Sequence, residues 1–598
     1  MQGNTTIRLR ILSGIVLLIG CLFISRLYFL QVVHGDDFRK EGDKQYVHTL
    51  PNIYDRGSIY FTSRDGKDVT AATINTAYVI AIDTSKIADK TKTYDTLNQI
   101  FAIDRKDFMA KADKPNDPYE EIAHRVPEDK ADLIKAKNLD GVQLFRETWR
   151  YYPGGPLAAQ VLGFVGNQGE VRKGQYGLEA YYDDVLERHE ENVYVNFFAE
   201  LFTNLGDTLF DSKTEGQGDL KLTIEPTVQS YLETELAGVM NEWHSDQTGG
   251  IIMDPKTGAI YAMAINPTFD PNEYGKVKNV SVFTNSMVQN VYEMGSIVKP
   301  LTMAAGLDAH VVSANTTYND TGKVTMNKKT FGNFDGVGRG PGTTMQTVLS
   351  KSLNTGVAFV VGKLGNKRFA DYMLQHFRMG EETGVDLPGE RQGLMTNLSS
   401  NRDIEYATAS FGQGIALSPI NMAASLAILG NGGTTITPHV VDEIRYTSGK
   451  VKKFTPTPGE QAITKETGNE ITRMLVRVVD EALLNGSVKI PEYSVAAKTG
   501  TAQISRPREL GGGYYEDRYM HTFFGYFPAY DPKFIVFLYT YYPKDAEYAS
   551  HTLTMPFIRT TKFLLNYYNI PPDRDPNAKK NAALIEKNLP LAGSAGAR

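Results

Sequence analysis

The apolar residues of this chain are distributed unevenly, and the first continuous stretch of them lies near the N-terminus. Residues 11–33 are apolar apart from Arg26 and a few small polar residues. At about 1.5 Å per residue, this length matches a helix that spans a membrane. Two arginines precede the stretch and two aspartates follow it. Because positive charge stays on the cytoplasmic side, the pattern predicts a single-pass anchor with residues 1–10 in the cytoplasm and the rest of the chain outside it.

Two other structures are compatible with an apolar stretch of this kind. Residues 11–25 are short enough for the core of a cleaved signal peptide, but no small-residue cleavage site follows them. A buried helix of a soluble domain would show a polar face, which this stretch lacks. The pattern therefore favours the uncleaved anchor, which would hold the rest of the protein at the outer face of the cell membrane.

From residue 34 to residue 215, polar stretches alternate with short runs that have β-strand character. Residues 76–83 form one such run, and residues 128–139 follow a charged helical pattern. Prolines and glycines at 153–156 mark a turn. No group of chemically reactive residues stands out in this region, so the pattern predicts a mixed α/β pedestal domain that serves as a spacer or docking module.

A second unit is predicted over residues 216–570, with strands at both ends and helices between them. Residues 249–264 read as two apolar strands joined by a turn, and residues 521–542 add two strands rich in aromatic side chains. The prediction is an α/β (α+β) domain in which strands from both ends form one antiparallel sheet flanked by helices. Residues 571–598 are polar and rich in small residues, which predicts a disordered tail.

Composition narrows the chemistry more than it narrows the fold. The net charge of −6 leaves no basic excess to neutralise phosphates, so nucleic acid is not expected as a partner. The single cysteine, Cys21, excludes an intrachain disulfide, a cysteine-ligated zinc and a cysteine nucleophile beyond the first segment. The ten histidines include no His-Glu-x-x-His pair. We therefore expect no metal and no cofactor, and chemistry carried by oxygen and nitrogen side chains.

Ser296 and Lys299 form the first candidate pair, because they open a helical pattern that runs through Leu307. Residues three apart share a helix face, so the hydroxyl and the amine are expected to meet. A serine nucleophile needs an adjacent base, and a lysine can be that base when burial and a second cation lower its pKa. This is the one Ser-x-x-Lys in the chain. A chance pair on a solvated face is the alternative, but the apolar residues that follow mark a core helix, where an unpaired lysine is costly.

Ser352 and Asn354 form the second candidate element, a Ser-x-Asn that joins two apolar runs. A buried site would use this serine as a proton relay and the amide to hold a substrate carbonyl. Two further Ser-x-Asn sequences, at 313–315 and 399–401, lie in stretches typical of turns. We expect those two to satisfy backbone groups and the 352–354 element to belong to a site.

The third candidate element, Lys498-Thr499-Gly500-Thr501, lies in a run that reads as a strand. Alternation places Lys498 and Gly500 on one face and Thr499 and Thr501 on the other. A strand edge with a cation, hydroxyls and a glycine can pair with an extended peptide and bind its carboxylate. The letters Lys-Thr-Gly recur at 256–258, but there they follow Asp-Pro between two strands, which predicts a hairpin turn without chemistry.

Ser-x-x-Lys, Ser-x-Asn and Lys-Thr-Gly in this order are the signature of penicillin-binding proteins and serine β-lactamases. The flanking sequences YEMGSIVKPLTMAAGL, LSKSLNTGVAF and VAAKTGTAQ strengthen the match, and roughly residues 215 to 565 resemble the transpeptidase domain of class B penicillin-binding proteins. A weaker resemblance reaches the N-terminus, where residues 56–59 are similar to the start of that family's pedestal, although residues 60–67 depart from its pattern. The resemblance implies a penicillin-binding/serine β-lactamase-like transpeptidase fold.

The resemblance also implies that the chain is a peptidoglycan D,D-transpeptidase that works through an acyl-enzyme. Ser296 would attack the carbonyl of the penultimate D-alanine of a stem peptide and release the last D-alanine. Lys299 would act as general base. Ser352 and Asn354 would relay protons and orient the substrate.

Substrate binding would fall to the strand element. Lys498, Thr499 and Thr501 would hold the terminal carboxylate, with Gly500 between them. The backbone N–H groups of Ser296 and Thr501 would form the oxyanion hole. Because β-lactams mimic the D-Ala-D-Ala end, they are expected to acylate the same serine.

Two alternatives remain open. A β-lactamase or D,D-carboxypeptidase would use water as acyl acceptor, whereas an anchor and a pedestal favour a transpeptidase. A non-catalytic β-lactam sensor or assembly subunit would not need Ser296, Lys299, Asn354 and Lys498, all of which are present.

The resemblance carries expectations about partners and cellular role as well. The Tyr-Glu-x-Gly-Ser lead-in at 292–296 is closer to enzymes of cell division than to those of elongation, which leaves the lateral wall as the second choice. A polytopic glycan polymerase and other divisome or elongasome proteins are the implied partners. The loop at 506–520 contains three successive glycines and is expected to border the site, with Tyr514 and Tyr515 interpreted as surface aromatics.

Overall fold

The computed structural model describes residues 55–168, 171–188, 216–456 and 459–575. The anchor predicted over residues 11–33 lies outside these residues, and so do the predicted boundary at residue 215 and most of the tail predicted from residue 571. Among the helices that the structure describes, none combines the length and the apolar character needed to cross a membrane. The described residues separate into two compact units, one with residues 74–149 and Asp55, the other with residues 56–73 and 150–575.

Strands occur throughout the described chain. In order they are β1 (Ile59–Thr62), β2 (Asp68–Ile82), β3 (Glu120–Val126), β4 (Val142–Tyr151), β5 (Val165–Gln168), β6 (Val171–Gly174), β7 (Gly218–Leu222), β8 (Gln247–Met253), β9 (Ile260–Asn266), β10 (Thr317–Asp320), β11 (Lys323–Met326), β12 (Lys329–Gly332), β13 (Gly340–Thr344), β14 (Val441–Tyr446), β15 (Val451–Lys453), β16 (Ala496–Ser505), β17 (Tyr514–Phe527) and β18 (Phe534–Tyr541).

The α-helices range from single turns to five turns. They are α1 (Lys90–Ile100), α2 (Arg105–Ala112), α3 (Glu128–Ala136), α4 (Ala159–Leu162), α5 (Gly177–Tyr181), α6 (Asp183–Leu186), α7 (Pro226–Trp243), α8 (Ser286–Gln289), α9 (Lys299–Asp308), α10 (Met345–Ser350), α11 (Asn354–Leu364), α12 (Asn366–Asp371), α13 (Asp403–Ala409), α14 (Pro419–Ala427), α15 (Lys465–Arg477), α16 (Ala549–Thr552) and α17 (Thr554–Tyr567). Short 3₁₀ or π turns occupy Pro271–Lys276, Val280–Phe283, Gly295–Val298, Tyr372–His376, Thr396–Ser399, Val478–Ala482, Leu483–Gly486 and Arg508–Leu510.

The first unit is built around one small apolar core. Residues 78–82 of β2 pair antiparallel with β3, and β4 also pairs with β2. Helices α1, α2 and α3 close this core with Leu97, Phe108 and Ile134, which solvent barely reaches. An aspartate side chain caps α1, and another caps α2, by accepting a backbone N–H of the first turn. The unit is a mixture of helices and strands, as the sequence pattern predicts for this region.

The main sheet of the second unit has the strand order β16-β17-β18-β8-β9, with every neighbouring pair antiparallel. Two of these strands come from the start of the unit and three from its end, which confirms the predicted sheet. Phe523 and Phe524 on β17 pack into two different apolar clusters, one on each face. Because both faces are covered, the central strands are continuously apolar, without alternation of polar and apolar residues. The strand β16 lies at one edge of the sheet.

Two helices of this unit show how local sequence sets their positions. Glu225 caps α7 through its side chain, and Pro226 occupies the first turn, where its missing N–H is not needed. Helix α9 is buried from Lys299 through Leu307 and packs against α11 and α15. Because the helix is buried on all sides, Lys299 at its N-terminus lies in the interior of the unit.

Candidate active site

Ser296 lies in the 3₁₀ turn Gly295–Val298, immediately before α9. The preceding glycine has a backbone φ of +62°, and a Cβ atom there would lie 2.6 Å from the carbonyl oxygen of Thr501. A glycine is therefore required at residue 295 for both conformation and space. This close approach packs the turn that carries Ser296 directly against the edge strand β16.

Lys299 lies directly below that turn, and its side chain is completely buried. Its Nζ donates a hydrogen bond to the carbonyl oxygen of Ser352 at 2.5 Å and lies 3.2 Å from the Ser352 hydroxyl. Burial, and after it the charge of Lys498, lower the pKa of Lys299 well below its ordinary value. Both causes are those expected from the sequence for a lysine that acts as a base, since they favour the neutral amine.

In place of the expected hydrogen bond to Ser296, the amine of Lys299 binds Ser352. Both lysine amines approach Ser352, since Lys498 Nζ donates to its hydroxyl at 3.0 Å. No hydrogen bond joins the Ser296 hydroxyl to another described residue. The reason is local: Ser352 has a φ of +55°, and this left-handed conformation presents its carbonyl and its hydroxyl to the same amine. Contacts between a base and its nucleophile commonly tighten only when substrate binds.

Asn354 begins helix α11, two residues after Ser352, and both side chains are partly exposed. The Asn354 amide donates a hydrogen bond to the carbonyl oxygen of Gly332 at 2.7 Å, which fixes its orientation. The two other Ser-x-Asn sequences lie in turns, as predicted: Ser313 follows α9, and Ser399 ends a short 3₁₀ turn. Of the three Ser-x-Asn sequences, the one at 352–354 contributes residues to the lining of the cleft.

Strand β16 carries the third element, and its side chains alternate as the sequence predicts. Lys498 and Gly500 are buried, whereas Thr499 and Thr501 are partly exposed. Burial lowers the pKa of Lys498 to about 7. A Cβ atom on Gly500 would lie 2.3 Å from the Thr522 hydroxyl, so a larger residue would push the strand away from the turn that carries Ser296.

The second Lys-Thr-Gly occupies the turn between β8 and β9, as predicted. Its lysine, Lys256, forms an ion pair with Asp531 at the surface. Gly258 adopts a φ of +81°, which a tight turn requires. The same three letters therefore have two structural roles, and the difference lies in whether the neighbouring residues are turn formers or strand formers.

The three elements meet at one cleft of about 720 Å³. Six of the predicted site residues line it, namely Ser296, Ser352, Asn354, Lys498, Thr499 and Thr501. Lys299 and Gly500 are the exceptions, because both are buried behind the wall. Three stretches that lie far apart in the sequence therefore converge at this cleft.

Glu293 and Tyr514 form a pair that the sequence did not identify. The Tyr514 hydroxyl lies 3.1 and 2.9 Å from the two carboxyl oxygens of Glu293, three residues before Ser296. Burial raises the pKa of Glu293 to about 7. The interpretation of Tyr514 as a surface aromatic is wrong, because Tyr514 begins β17 inside the predicted loop and its hydroxyl binds the partly buried carboxyl of Glu293. The ring of Tyr515 instead lies under the guanidinium of Arg518, whose Cζ is 4.1 Å from the centre of that ring.

The chemistry of this cleft is that of serine, lysine and amide groups. Within residues 55–168, 171–188, 216–456 and 459–575, no three His, Cys, Asp or Glu residues are grouped in a way that could hold a metal ion. The cleft can therefore activate a hydroxyl next to a neutral amine, bind a carboxylate at a strand edge and relay a proton between two lysines.

Two protein-family models match the chain. A penicillin binding protein transpeptidase domain covers residues 248–560, and a penicillin-binding protein dimerisation domain covers residues 54–197. Among curated relatives, Stage V sporulation protein D of Bacillus subtilis is 30% identical over 570 residues, which are 93% of this chain and 85% of that protein. Peptidoglycan D,D-transpeptidase FtsI of Escherichia coli K12 is 27% identical over 600 residues, 98% of this chain and 96% of that protein.

Solved structures show the same fold. Penicillin binding protein 3 of Mycobacterium tuberculosis, in complex with aztreonam, matches with a TM-score of 0.65 and 22% identity, over 87% of this chain and 97% of that chain. Penicillin Binding Protein 2X of Streptococcus thermophilus matches with a TM-score of 0.71 and 19% identity, over 87% of this chain and 80% of that chain.

Proposed function

This chain belongs to the class B penicillin-binding proteins, and we propose that its cleft cross-links peptidoglycan with Ser296 as nucleophile. The family's activity, serine-type peptidoglycan D,D-transpeptidation, is the activity of this chain. The observation that carries the residue assignment is the convergence of Lys299 and Lys498 on Ser352, beside Ser296 in one cleft.

In the first half-reaction, the Ser296 oxygen bonds to the carbonyl carbon of the penultimate D-alanine. Lys299, whose pKa is lowered, accepts the hydroxyl proton. The peptide C–N bond breaks, and the terminal D-alanine leaves as an amine after receiving a proton. The hydrogen bonds from Lys299 and Lys498 to Ser352 supply the route for that proton.

Substrate positioning is assigned to the strand edge. A peptide that adds to β16 brings its terminal carboxylate to Lys498, Thr499 and Thr501, with room provided by Gly500. The Asn354 amide orients the peptide at the opposite wall. The backbone N–H groups of Ser296 and Thr501 stabilise the negative oxygen of the tetrahedral intermediate.

In the second half-reaction, an amine from a neighbouring stem peptide attacks the ester carbonyl. The ester C–O bond breaks, a new amide bond forms, and the proton lost by the amine returns to the Ser296 oxygen. Water in place of the amine would give a carboxypeptidase or, with a β-lactam, a β-lactamase. The test is the lifetime of the acyl-enzyme that the wild-type chain forms with a β-lactam. A lifetime of hours in water supports the transpeptidase, and hydrolysis within seconds contradicts it.

We assign the enzyme to cell division, because the FtsI relative matches 98% of the chain. Residues 11–33 would anchor it in the plasma membrane with the cleft on the outer side. A polytopic glycan polymerase is the expected partner of the anchor and pedestal. Localisation of a tagged chain to the septum supports this role, and uniform labelling of the side wall contradicts it.

Labelling with a fluorescent penicillin tests the nucleophile. The wild-type chain is expected to label, and Ser296→Ala to lose all label, because the variant lacks the hydroxyl oxygen that would form the ester with the β-lactam. Ser313→Ala is the matched control, since it alters a Ser-x-Asn outside the cleft and should label normally. Persistent labelling of Ser296→Ala would contradict the assignment.

A further inference from the structure

Several lysine amines and one carboxylate surround the cleft that holds Ser296. Lys351 and Lys498 line it, and Lys299 lies behind its wall. Among the residues that line the cleft, Glu547 is the one with a carboxylate. This side chain is exposed and forms no ion pair with another described residue. A carboxylate that forms no ion pair, in a cleft with several lysines, is available to a charged group on a substrate.

The position of Glu547 is fixed by its neighbours on both sides. His521 is inaccessible to solvent, and its Nε2 lies 3.2 Å from the Glu547 carbonyl oxygen. Because a carbonyl only accepts hydrogen bonds, this nitrogen carries the proton, and Nδ1 is left to accept from the Thr552 hydroxyl at 2.9 Å. Burial lowers the pKa of His521 to about 4, so this arrangement persists at neutral pH.

The same wall is joined to the strand that binds substrate. The backbone N–H of Ala549 donates to the Thr501 hydroxyl at 3.1 Å, and His521 is the cross-strand partner of Thr501. The Thr501 carbonyl in turn borders the turn that carries Ser296. A short chain of contacts therefore connects Glu547 to the nucleophile.

Two tyrosines complete the surroundings of the carboxylate. The Tyr548 hydroxyl donates to Glu547 Oε1 at 2.7 Å, and this bond raises the pKa of Tyr548 to about 12. Burial and then the charge of Glu547 raise the pKa of Tyr519, which lines the same cleft. A carboxylate beside two phenol rings is a favourable place for an ammonium group, through charge and through cation–π attraction.

We infer that Glu547 binds the ammonium group of the acceptor stem peptide and so determines which strand enters the second half-reaction. This inference rests on the proposed transpeptidase function. An alkyl amine has a pKa of about 10.4 and therefore arrives protonated at neutral pH. Without an anion, the exposed Lys351 of the cleft would repel it. Glu547 holds the ammonium group until it passes one proton to the neutral amine of Lys299. The resulting amine attacks the ester carbonyl, and its second proton goes to the Ser296 oxygen as the ester C–O bond breaks.

The test separates the two half-reactions in the full-length protein. Acylation is followed with a fluorescent penicillin, and cross-linking with a D-Ala-D-Ala donor and a synthetic stem peptide whose third residue ends in a free primary amine. In Glu547→Gln, acylation should stay within about twofold of wild type, while KM for the amine rises roughly tenfold with kcat nearly unchanged. High ionic strength should raise the wild-type KM more than that of the variant.

Asp545→Asn is the matched control, because Asp545 is an exposed acid two residues away that does not line the cleft. Its KM should equal that of the wild type, and Glu547→Asp should recover part of the loss. An unchanged KM in Glu547→Gln, or a parallel loss of penicillin acylation, overturns the inference and leaves the proposed function intact. If the wild type is acylated but forms no amine-dependent product, the proposed function fails and the inference fails with it.

Discussion

The second unit contains two buried groups of cations, and they differ in whether a carboxylate accompanies them. In the first group, Arg56 and Arg150 both bind Glu179, at 2.7 and 2.6 Å, and all three side chains are almost inaccessible to solvent. In the second, Lys299 and Lys498 are equally buried, but neither forms an ion pair with a described residue. The Tyr152 hydroxyl adds a further bond to Glu179 and has no counterpart in the lysine group.

The consequences for charge are opposite. Burial alone would raise the pKa of Glu179, but Arg150 and Arg56 outweigh it, and the pKa is lowered. All three groups therefore stay ionised and hold distant parts of the unit together. The lysines have no such compensation, so burial lowers their pKa values and favours neutral amines. A buried ion network with its counter-ion stabilises structure, whereas buried cations without one become bases.

Lys299→Met is expected to show the largest effect in this comparison. Loss of the base should slow penicillin acylation by about 10³-fold, the scale of general base catalysis. The free energy of unfolding should not fall, because an apolar side chain replaces an uncompensated buried amine. Stopped-flow acylation and urea denaturation measure the two quantities.

The control for that variant is Lys351→Met, which removes an exposed lysine of the same cleft. Acylation by this control should remain near the wild-type rate. If Lys299→Met lowers the free energy of unfolding, or is acylated at the wild-type rate, the contrast between the two cation groups is wrong.

Glu179→Gln is expected to reverse the pattern, with a large effect on stability. It removes the carboxylate that Arg56 and Arg150 share, and although Arg56 keeps its ion pair with Asp183, the buried charge of Arg150 loses its partner. This loss should lower the free energy of unfolding by about 3 kcal/mol. Folded molecules should still be acylated at the wild-type rate. Asp65→Asn, which alters an exposed ion pair with Lys67, should leave stability unchanged. A stable Glu179→Gln protein would show that the arginine group is not a structural network.

The pH dependence of stability should distinguish the two groups by the pH range in which stability changes. Glu179 has a lowered pKa, so its contribution is complete above about pH 4.5 and disappears as the pH falls below that value. Lys498 has a pKa of about 7 in the folded state against 10.5 in the unfolded state. The unfolded chain then binds more protons between those values, so stability rises with pH from about 7 upward.

The lysine slope can be isolated by comparing wild type with Lys498→Met in urea at pH 7, 8 and 9. The difference in free energy of unfolding should change by roughly 1 kcal/mol per pH unit in favour of the wild type. The same comparison with Lys351→Met should give a flat difference. Parallel curves for wild type and Lys498→Met would contradict the lowered pKa.

The smallest expected effect concerns Glu293, a buried carboxyl with a phenol donor and no cation. Tyr514→Phe removes its donor and should lower the free energy of unfolding by about 1 kcal/mol. The loss should be greater at pH 8 than at pH 6, because the pKa of Glu293 is about 7 and the ionised form needs the donor more. Tyr515→Phe is the matched control and should be neutral at both pH values. An equal loss at pH 6 and pH 8 would show that Glu293 does not titrate in this range.

Much of the site could be predicted because short patterns specify it locally. Helical spacing placed Ser296 and Lys299 in one turn, and alternation separated Lys498 from Thr499 on the two faces of β16. The hydrogen bonds between Lys299 and Ser352 could not be predicted, because they depend on a residue in the left-handed conformation 53 positions from Lys299. The pairing of Tyr514 with Glu293 was missed for the same reason, since 221 positions separate them.

The sequence by itself determined which chemical groups are present, which of them share a helix face or a strand edge, and which stretches of the chain form the antiparallel strands. Those features follow from backbone geometry that repeats every two or every 3.6 residues. Only the tertiary structure decided which cations have a carboxylate beside them and which do not. Desolvation and Coulomb attraction depend on distances between side chains that are far apart in the chain, and these distances make Arg56 a structural cation and Lys299 a base.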